Sequence, residues 1–565
     1  MRSDRKALLL VVAVWAISTG LWLNPGITKP DGVGYYVYLP SLRLDGDLLF
    51  FNEWDRFGMI DRGVILHKEV TATDHLGNHW TIGSALYWLP SFLFADLLRT
   101  IPALALFPPD GVSLPYNVAV GFASAVAGLL TLLMGFRVAR EFVPVFPAAL
   151  ATMGLWFGSP LLFYSVRNPI LGHATSAFAC GLVVLLSVRL RVERAAFCWF
   201  ATGLAAGFAF AVRPQNGTFL LMPFLIAAGS ERPLLQRIGL VLSGFAVAAL
   251  PQVIVSFVLY GTPYGFLTGG GAAKPFAAFE RIWIWEPILS WYHGLIPWSP
   301  IIALGLAGLI LLWRRDRLLA AAGLYAFASQ WFVNATLERS FWGAHAFGQR
   351  RFDNCTIFFL LGAAVLLSRW PRAVQVSIVA ATSVWTMSIF FAAMGPLDLG
   401  AYYTPAELAA LQWASLSNVA GYLKPFASVP QAMKGIVALV CLCLCAAWVA
   451  AGVLLWRFRK NGVAPIVVFA AVYFLVMSGV LAFAGSTGRS RLIPMQSLIG
   501  FNRTISAALG GADARTGLLA DEARYLRKAG RIEEAEATEM ELAALERARR
   551  AGIERLRAMA EEERR

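Results

Sequence analysis

Residues 115–140 read PYNVAVGFASAVAGLLTLLMGFRVAR. From Tyr116 to Phe136 the stretch carries no charge, and Arg137 and Arg140 follow directly. A helix of about 20 apolar residues crosses the hydrocarbon core of a bilayer, and basic residues mark its cytoplasmic end. The chain repeats this unit. Comparable apolar runs lie at 7–23, 146–164, 173–188, 195–212, 217–229, 238–259, 299–313, 318–335, 353–368, 373–394, 433–456 and 463–484. With 115–136 they make about thirteen segments, the shortest needing neighbouring turns to complete a crossing. The expected fold is an all-α polytopic membrane bundle.

Composition agrees. Of 565 residues, 58% are hydrophobic and 15% charged. A soluble domain carries roughly a quarter charged residues. The net charge of +14 sits mostly in arginines of short turns, so it reads as a topology signal and implies no nucleic-acid partner. The six cysteines have no metal-ligand spacing, and no ligand set for a divalent metal stands out.

The start, basic through Lys6 and apolar from Ala7 to Leu23, continues as Asn24-Pro25-Gly26 with no small-residue cleavage site. It is expected to be an uncleaved first helix with its N-terminus inside. Trp80 to Leu98 is apolar enough to span but is interrupted by Pro90 and Asp96. If this piece does not cross, every basic turn (Arg137/Arg140, Arg189/Arg191/Arg194, Arg232/Arg237, Arg314/Arg315/Arg317, Arg369/Arg372, Arg457/Arg459/Lys460) falls on the side of the N-terminus. If it crosses, nearly all face outward. The positive-inside rule therefore makes 80–98 a surface-lying or re-entrant piece. Residues 1–484 then form the transmembrane domain. The loops 24–114, 260–298, 336–352 and 395–432 lie outside, as does the 485–565 tail, which reads as a helical hairpin whose second helix starts near Ile532.

The outside loops hold the polar residues. Asp31 follows the first span in Lys29-Pro30-Asp31-Gly32-Val33-Gly34-Tyr35-Tyr36. A carboxylate at the membrane rim can take a proton from a hydroxyl; the alternative is an ordinary Asp-Gly turn. Asp45, Asp47 and Asp55 read as solvated charges, with Glu53 and His67 as weaker candidates. His173 opens a span after Tyr164-to-Gly172, where it either caps the helix or binds ligand. Arg213 forms a basic outside turn with Pro214, against the general trend, and can hold a lipid phosphate or snorkel to headgroups. The loop 260–298 brings Gly269-Gly270-Gly271, Lys274 and His293. Phe341 to Asp353 is the densest polar-aromatic cluster, with His345, Arg350 and Arg351. Two adjacent arginines suit a phosphate or pyrophosphate; the alternative is an Arg–Asp pair closing the loop.

Taken together, these pieces resemble the GT-C glycosyltransferases, especially the family 39 branch that includes protein O-mannosyltransferases and aminoarabinose transferases. The resemblance covers roughly residues 7–484 and rests on short motifs: Asp31 in the first outside loop, the Trp80–Leu98 segment, the Tyr164-to-His173 joint and the Arg213 turn. It implies a polyprenyl-phosphate-linked sugar as donor. Asp31 would deprotonate an acceptor hydroxyl, and Arg350, Arg351 or Arg213 would stabilise the departing lipid phosphate with inversion at the sugar. Tyr35, Tyr36, His173, Lys274, His293 and His345 would line the site. The resemblance places the chain in a bacterial inner membrane among lipid partners. Two departures stand out: Gly32 occupies the place of a second acid, and His173 that of an Asp. A transporter or flippase, or a non-catalytic factor in surface-polysaccharide assembly, is the alternative; spans poor in central charge speak against transport.

Overall fold

The computed structural model describes residues 2–487 except 28–29, 51–52, 55–56, 58–70, 74, 106, 194, 269–281, 338–339, 344 and 460–463. Beyond 487 it describes 523, 527, 532–544 and 547. Asp55, His67 and Lys274 lie outside the described residues.

The chain is an all-helical polytopic membrane protein. Seven described helices are long and apolar enough to cross a bilayer: Ser3–Trp22, Leu114–Ala139, Leu234–Tyr260, Arg317–Thr336, Arg372–Ala393, Lys434–Leu455 and Ala464–Gly485. The pair Val145–Gly158 and Pro160–Arg167, bent by 64°, makes an eighth if taken as one broken span. His173–Arg189, Ala196–Val212 and Ile301–Leu312 are apolar but shorter. The run at 217–229 is not a continuous span: a 3-10 helix, Pro214–Leu221, passes into the short helix Met222–Ile226. Pro223 removes a backbone donor from this run, and 3-10 geometry rarely persists. The run at 353–368 likewise opens with a 3-10 turn, Arg350–Cys355, before the helix Thr356–Leu367.

Without water between helices, close packing of small residues holds such a bundle together. Gly308 and Gly362 show how far this goes. A Cβ on Gly308 would stand 1.7 Å from the Gly362 carbonyl oxygen, so Ile301–Leu312 and Thr356–Leu367 meet backbone to backbone.

The basic turns at Arg140, Arg191 and Arg315 converge on one face. Arg140 pairs with Asp4 at 2.6 Å, tying the first span to the third turn of the chain path. Arg191 donates to Asp316 at 3.0 Å and to the Ile226 carbonyl at 2.9 Å. Arg315 donates to the Phe142 carbonyl at 3.0 Å. The opposite face carries Asp31. The helix Gly83–Leu98 joins two ends on that face. Its start packs on Ala211 and Val212, while Asp96 accepts from Tyr116 at the head of Leu114–Ala139. Trp88, Phe92 and Ala95 are buried, whereas Leu93 and Leu97 are exposed.

The first long loop also contains a sealed carboxyl. Glu53 is fully buried, and burial, then the neighbouring Asp45, pushes its pKa well above the usual carboxylate range.

Two outcomes follow. Gly308→Ala must separate two backbones in contact, and a loss of about 1–3 kcal/mol is expected, read as a lower melting temperature in detergent. Glu53 favours its protonated form when folded. The stability it contributes is therefore full below the unfolded pKa and is lost as pH rises through the raised one. Glu53→Gln should melt progressively higher than wild type as pH goes from 5 to 8; parallel melting curves would contradict the buried acid.

Candidate functional site

Asp31 sits in the first turn of the short helix Pro30–Tyr36, where proline fixes φ and a carboxylate favours exposed N–H groups. The helix is clamped from two sides. The Asn78 side chain donates to the Gly34 carbonyl at 2.9 Å, and Tyr38 donates to the Trp80 carbonyl at 2.7 Å. A Cβ at Gly32 would lie 2.9 Å from the Ile170 carbonyl oxygen. That contact explains why no second acid follows Asp31: the space belongs to the Tyr164–His173 joint.

Four elements bring their polar groups to Asp31. The Arg350 guanidinium donates through Nη2 to Asp31 Oδ2 at 3.2 Å and to the Gly343 carbonyl at 3.0 Å. Its carbon lies 6.0 Å from the centre of the Tyr164 ring, a cation–π distance. Tyr164 comes from the π-helical segment Phe163–Arg167, and its hydroxyl oxygen accepts from the Phe347 N–H at 2.7 Å. Single π turns of this kind re-aim side chains within an otherwise regular helix. Arg213 follows the helix Ala196–Val212 in extended conformation, as a residue before proline is pushed to be.

His173 links the two arginines. Its Nδ1 lies 3.0 Å from Arg213 Nη1, 3.0 Å from the Arg350 carbonyl oxygen and 3.7 Å from Asp353 Oδ2. One nitrogen cannot accept from Arg213 and donate to Arg350 at once. A bare Nδ1 therefore holds Arg213, and a protonated Nδ1 holds the carbonyl and leaves Arg213 for other partners.

Two guanidiniums and two carboxyls meet at the site. Burial pushes Asp353 well above the usual carboxylate range, opposed by Arg213 and Arg350. Burial works against the Arg350 charge, yet Tyr164, Asp31 and Tyr35 outweigh it and raise its pKa. Tyr35 is buried and its pKa is raised by burial first, with Arg213 and Arg350 lowering it and Asp31 raising it. Two guanidiniums, Arg213 and Arg350, meet at this rim beside Asp31, whose side chain is 42% exposed while that of Arg350 is 12% exposed. Such a rim suits an anion with three oxygens, because guanidinium forks match phosphate geometry. Among the described residues no cluster of three or more metal-type ligands occurs.

The sequence candidates divide accordingly. Asp31, Tyr35, His173, Arg213 and Arg350 come together. Tyr36 does not: it is buried on the other side of its helix, donating to the Gly111 carbonyl at 2.7 Å. Arg351 donates to the Ser340 carbonyl at 2.6 Å, its guanidinium beside that of Arg350 at Gly343. His345 is exposed, 3.8 Å from Asp398. His293 is buried between Tyr292 and Trp298, and burial lowers its pKa to about 3. Arg350 does not close its own loop by pairing with Asp353; it pairs with Asp31, 319 positions away. Tyr164 and Asp353 are site residues that the sequence reading passed over. Both lie inside motifs it singled out, and only their neighbours could reveal them.

No protein-family model matches the sequence, and no curated protein matches it. A search of solved structures finds the crystal structure of ArnT from Cupriavidus metallidurans in the apo state. The chain is similar to ArnT. The match covers 90% of this chain and 79% of ArnT, with 15% identity and a TM-score of 0.45. A match to ArnT at this level assigns no residue a role.

Arg350→Ala leaves the Gly343 carbonyl without its donor and Asp31 without its cation. A stability loss of about 1–3 kcal/mol is expected, measured as thermal unfolding in detergent. An unchanged melting temperature would mean that Arg350 does not hold the site together.

Proposed function

We propose that the chain is a membrane glycosyltransferase of the GT-C type, moving a sugar from a polyprenyl-phosphate donor to an acceptor hydroxyl. The observation that carries this reading is the Asp31–Arg350 pair at 3.2 Å, at a rim that also holds Arg213. A base and a phosphate-binding cation in contact are what such a transfer needs. Their face lies opposite the basic turns, which the positive-inside rule puts in the cytoplasm. Transfer then takes place on the extracytoplasmic side, with the N-terminus in the cytoplasm.

The donor phosphate draws Arg350 away from Asp31, and Arg213 joins it when His173 releases its hold. Asp31, freed of its partner, becomes a carboxylate base. It takes the acceptor proton as the acceptor oxygen attacks the anomeric carbon. The bond from that carbon to the phosphate oxygen breaks on the opposite face, so the sugar inverts. The lipid phosphate leaves with the electron pair, and the two guanidiniums stabilise the charge that develops there. Tyr164 keeps Arg350 in the plane of the phosphate by stacking beneath it.

The test is release of lipid phosphate from a panel of polyprenyl-phosphate sugars in proteoliposomes. Asp31→Asn removes the base and keeps the size, so a fall of at least about a hundredfold is expected; it also removes the Arg350 counter-charge, so turnover is compared at a temperature where both proteins are folded. Arg350→Lys keeps the charge but loses the fork, and a smaller fall, about tenfold or more, is expected. Full activity in purified Asp31→Asn protein would refute the mechanism. Absence of turnover and of donor binding in wild type would favour transport or assembly.

A further inference from the structure

Above the candidate site the face of the bundle closes with aromatic rings. Trp283, Tyr292, Phe341 and Trp342 form a buried cluster, with Tyr402 packed against it. They come from three loops on this face, 260–298, 336–352 and 395–432, and the loops are stitched together. Tyr292 donates to the Gly400 carbonyl at 3.0 Å, and the Trp283 N–H donates to the Ala335 carbonyl at 2.9 Å. One further residue is buried in the same cluster: Ala535, from the helical stretch 532–544 of the tail. Thr538, one turn on, is buried too, and Arg527 pairs with Glu539 at 2.7 Å, so two pieces of the tail fold together where it docks.

The docking platform and the site share a backbone. Phe341 and Trp342, which hold Ala535, lie in the turn whose carbonyls hold the two arginines. Arg351 donates to Ser340, Gln349 to Phe341 at 2.5 Å, and Arg350 to Gly343. A movement of the Phe341–Trp342 turn therefore moves the acceptors of both guanidiniums. The docked arrangement is also the one in which Arg350 is spent on Asp31 and on its own chain. The docked helix carries Glu533, Glu534, Glu536, Glu539 and Glu541 and no Lys or Arg, in a chain of net charge +14. Among the described residues, Ala535 is the tail residue buried in this aromatic floor.

We propose that the tail helix 532–544 is a built-in cap. Docked through Ala535 on Trp283, Tyr292, Phe341 and Trp342, it holds Arg350 and Arg351 on their own loop carbonyls and keeps the site closed; lifted, it releases the turn and both arginines for an anion. The ligand named here, a polyprenyl phosphate, rests on the functional reading above; the coupling between cap and arginines does not.

The experiment reads the arginines directly. The full chain, the variant Ala535→Trp and a chain ended after Thr487 are treated with phenylglyoxal in detergent, and modification is resolved by residue with mass spectrometry. Exposed Arg43 serves as the internal reference. Backbone hydrogen exchange over 532–544 reports docking in the full-length proteins. The expected result is loss of protection of the tail in Ala535→Trp, with Arg350 and Arg351 modified at least about fivefold faster in both altered chains. Unchanged tail protection in Ala535→Trp, or faster tail exchange without faster modification of Arg350, overturns the cap. Adding polyprenyl phosphate to the lifted variant separates the two ideas. Protection of Arg350 by the lipid agrees with both. Faster modification with no protection by the lipid upholds the cap and sinks the lipid-phosphate reading.

Discussion

A buried guanidinium needs its charge answered, and Arg350 answers it by reaching across the whole chain. Its fork meets Asp31 from the first loop and Gly343 from its own, its plane lies against Tyr164, and its carbonyl receives His173. Each of these partners comes from a different part of the bundle. Desolvating a cation is costly, so the arrangement stands only when all of them are in place. That single requirement fixes the short helix that carries Asp31, the π turn that carries Tyr164 and the start of the span that carries His173.

The rest of the bundle makes this convergence possible by separating two kinds of charge. Arginines with fixed partners collect on one face, where Arg140 meets Asp4 and Arg191 meets Asp316. Those pairs staple helix ends and have no reason to move. On the other face, Arg350 and Arg213 gather near Asp31, and His173 can hold only one of its two contacts at a time. A site that must exchange partners is built from contacts that exclude one another, and a scaffold from contacts that do not. The aromatic floor above the site extends the same logic, since the turn that anchors the arginines is also the turn on which the tail helix rests.

Much of the fold was legible because hydrophobic length is read directly from sequence. The run 115–136 is a helix of the expected kind, and the basic turns gather on one face. The short segments were less legible. Residues 217–229 have the composition of a span but fold as a 3-10 turn and a short helix, with Pro223 withdrawing a donor that a continuous helix needs. In the site, residue types were readable and directions were not. Tyr35 and Tyr36 are adjacent and equally aromatic, yet neighbours on a helix point about 100° apart, so one faces Arg213 and the other Gly111. Arg350 and Arg351 are split in the same way by a 3-10 turn, one toward Asp31 and one toward Ser340.

Sequence alone determined that this chain is a membrane bundle, which turns are basic, and that a lone acid follows the first span beside a glycine. These are properties of composition and spacing, and lipid enforces them locally on each segment. Which arginine meets that acid, why glycine must follow it, and that a tail helix beyond the last span rests on the loop holding the arginines were decided by tertiary structure. Those facts depend on backbones more than 300 positions apart arriving within hydrogen-bond distance, as Arg350 and Asp31 do. No local preference encodes such an approach; it follows from how the whole set of helices packs.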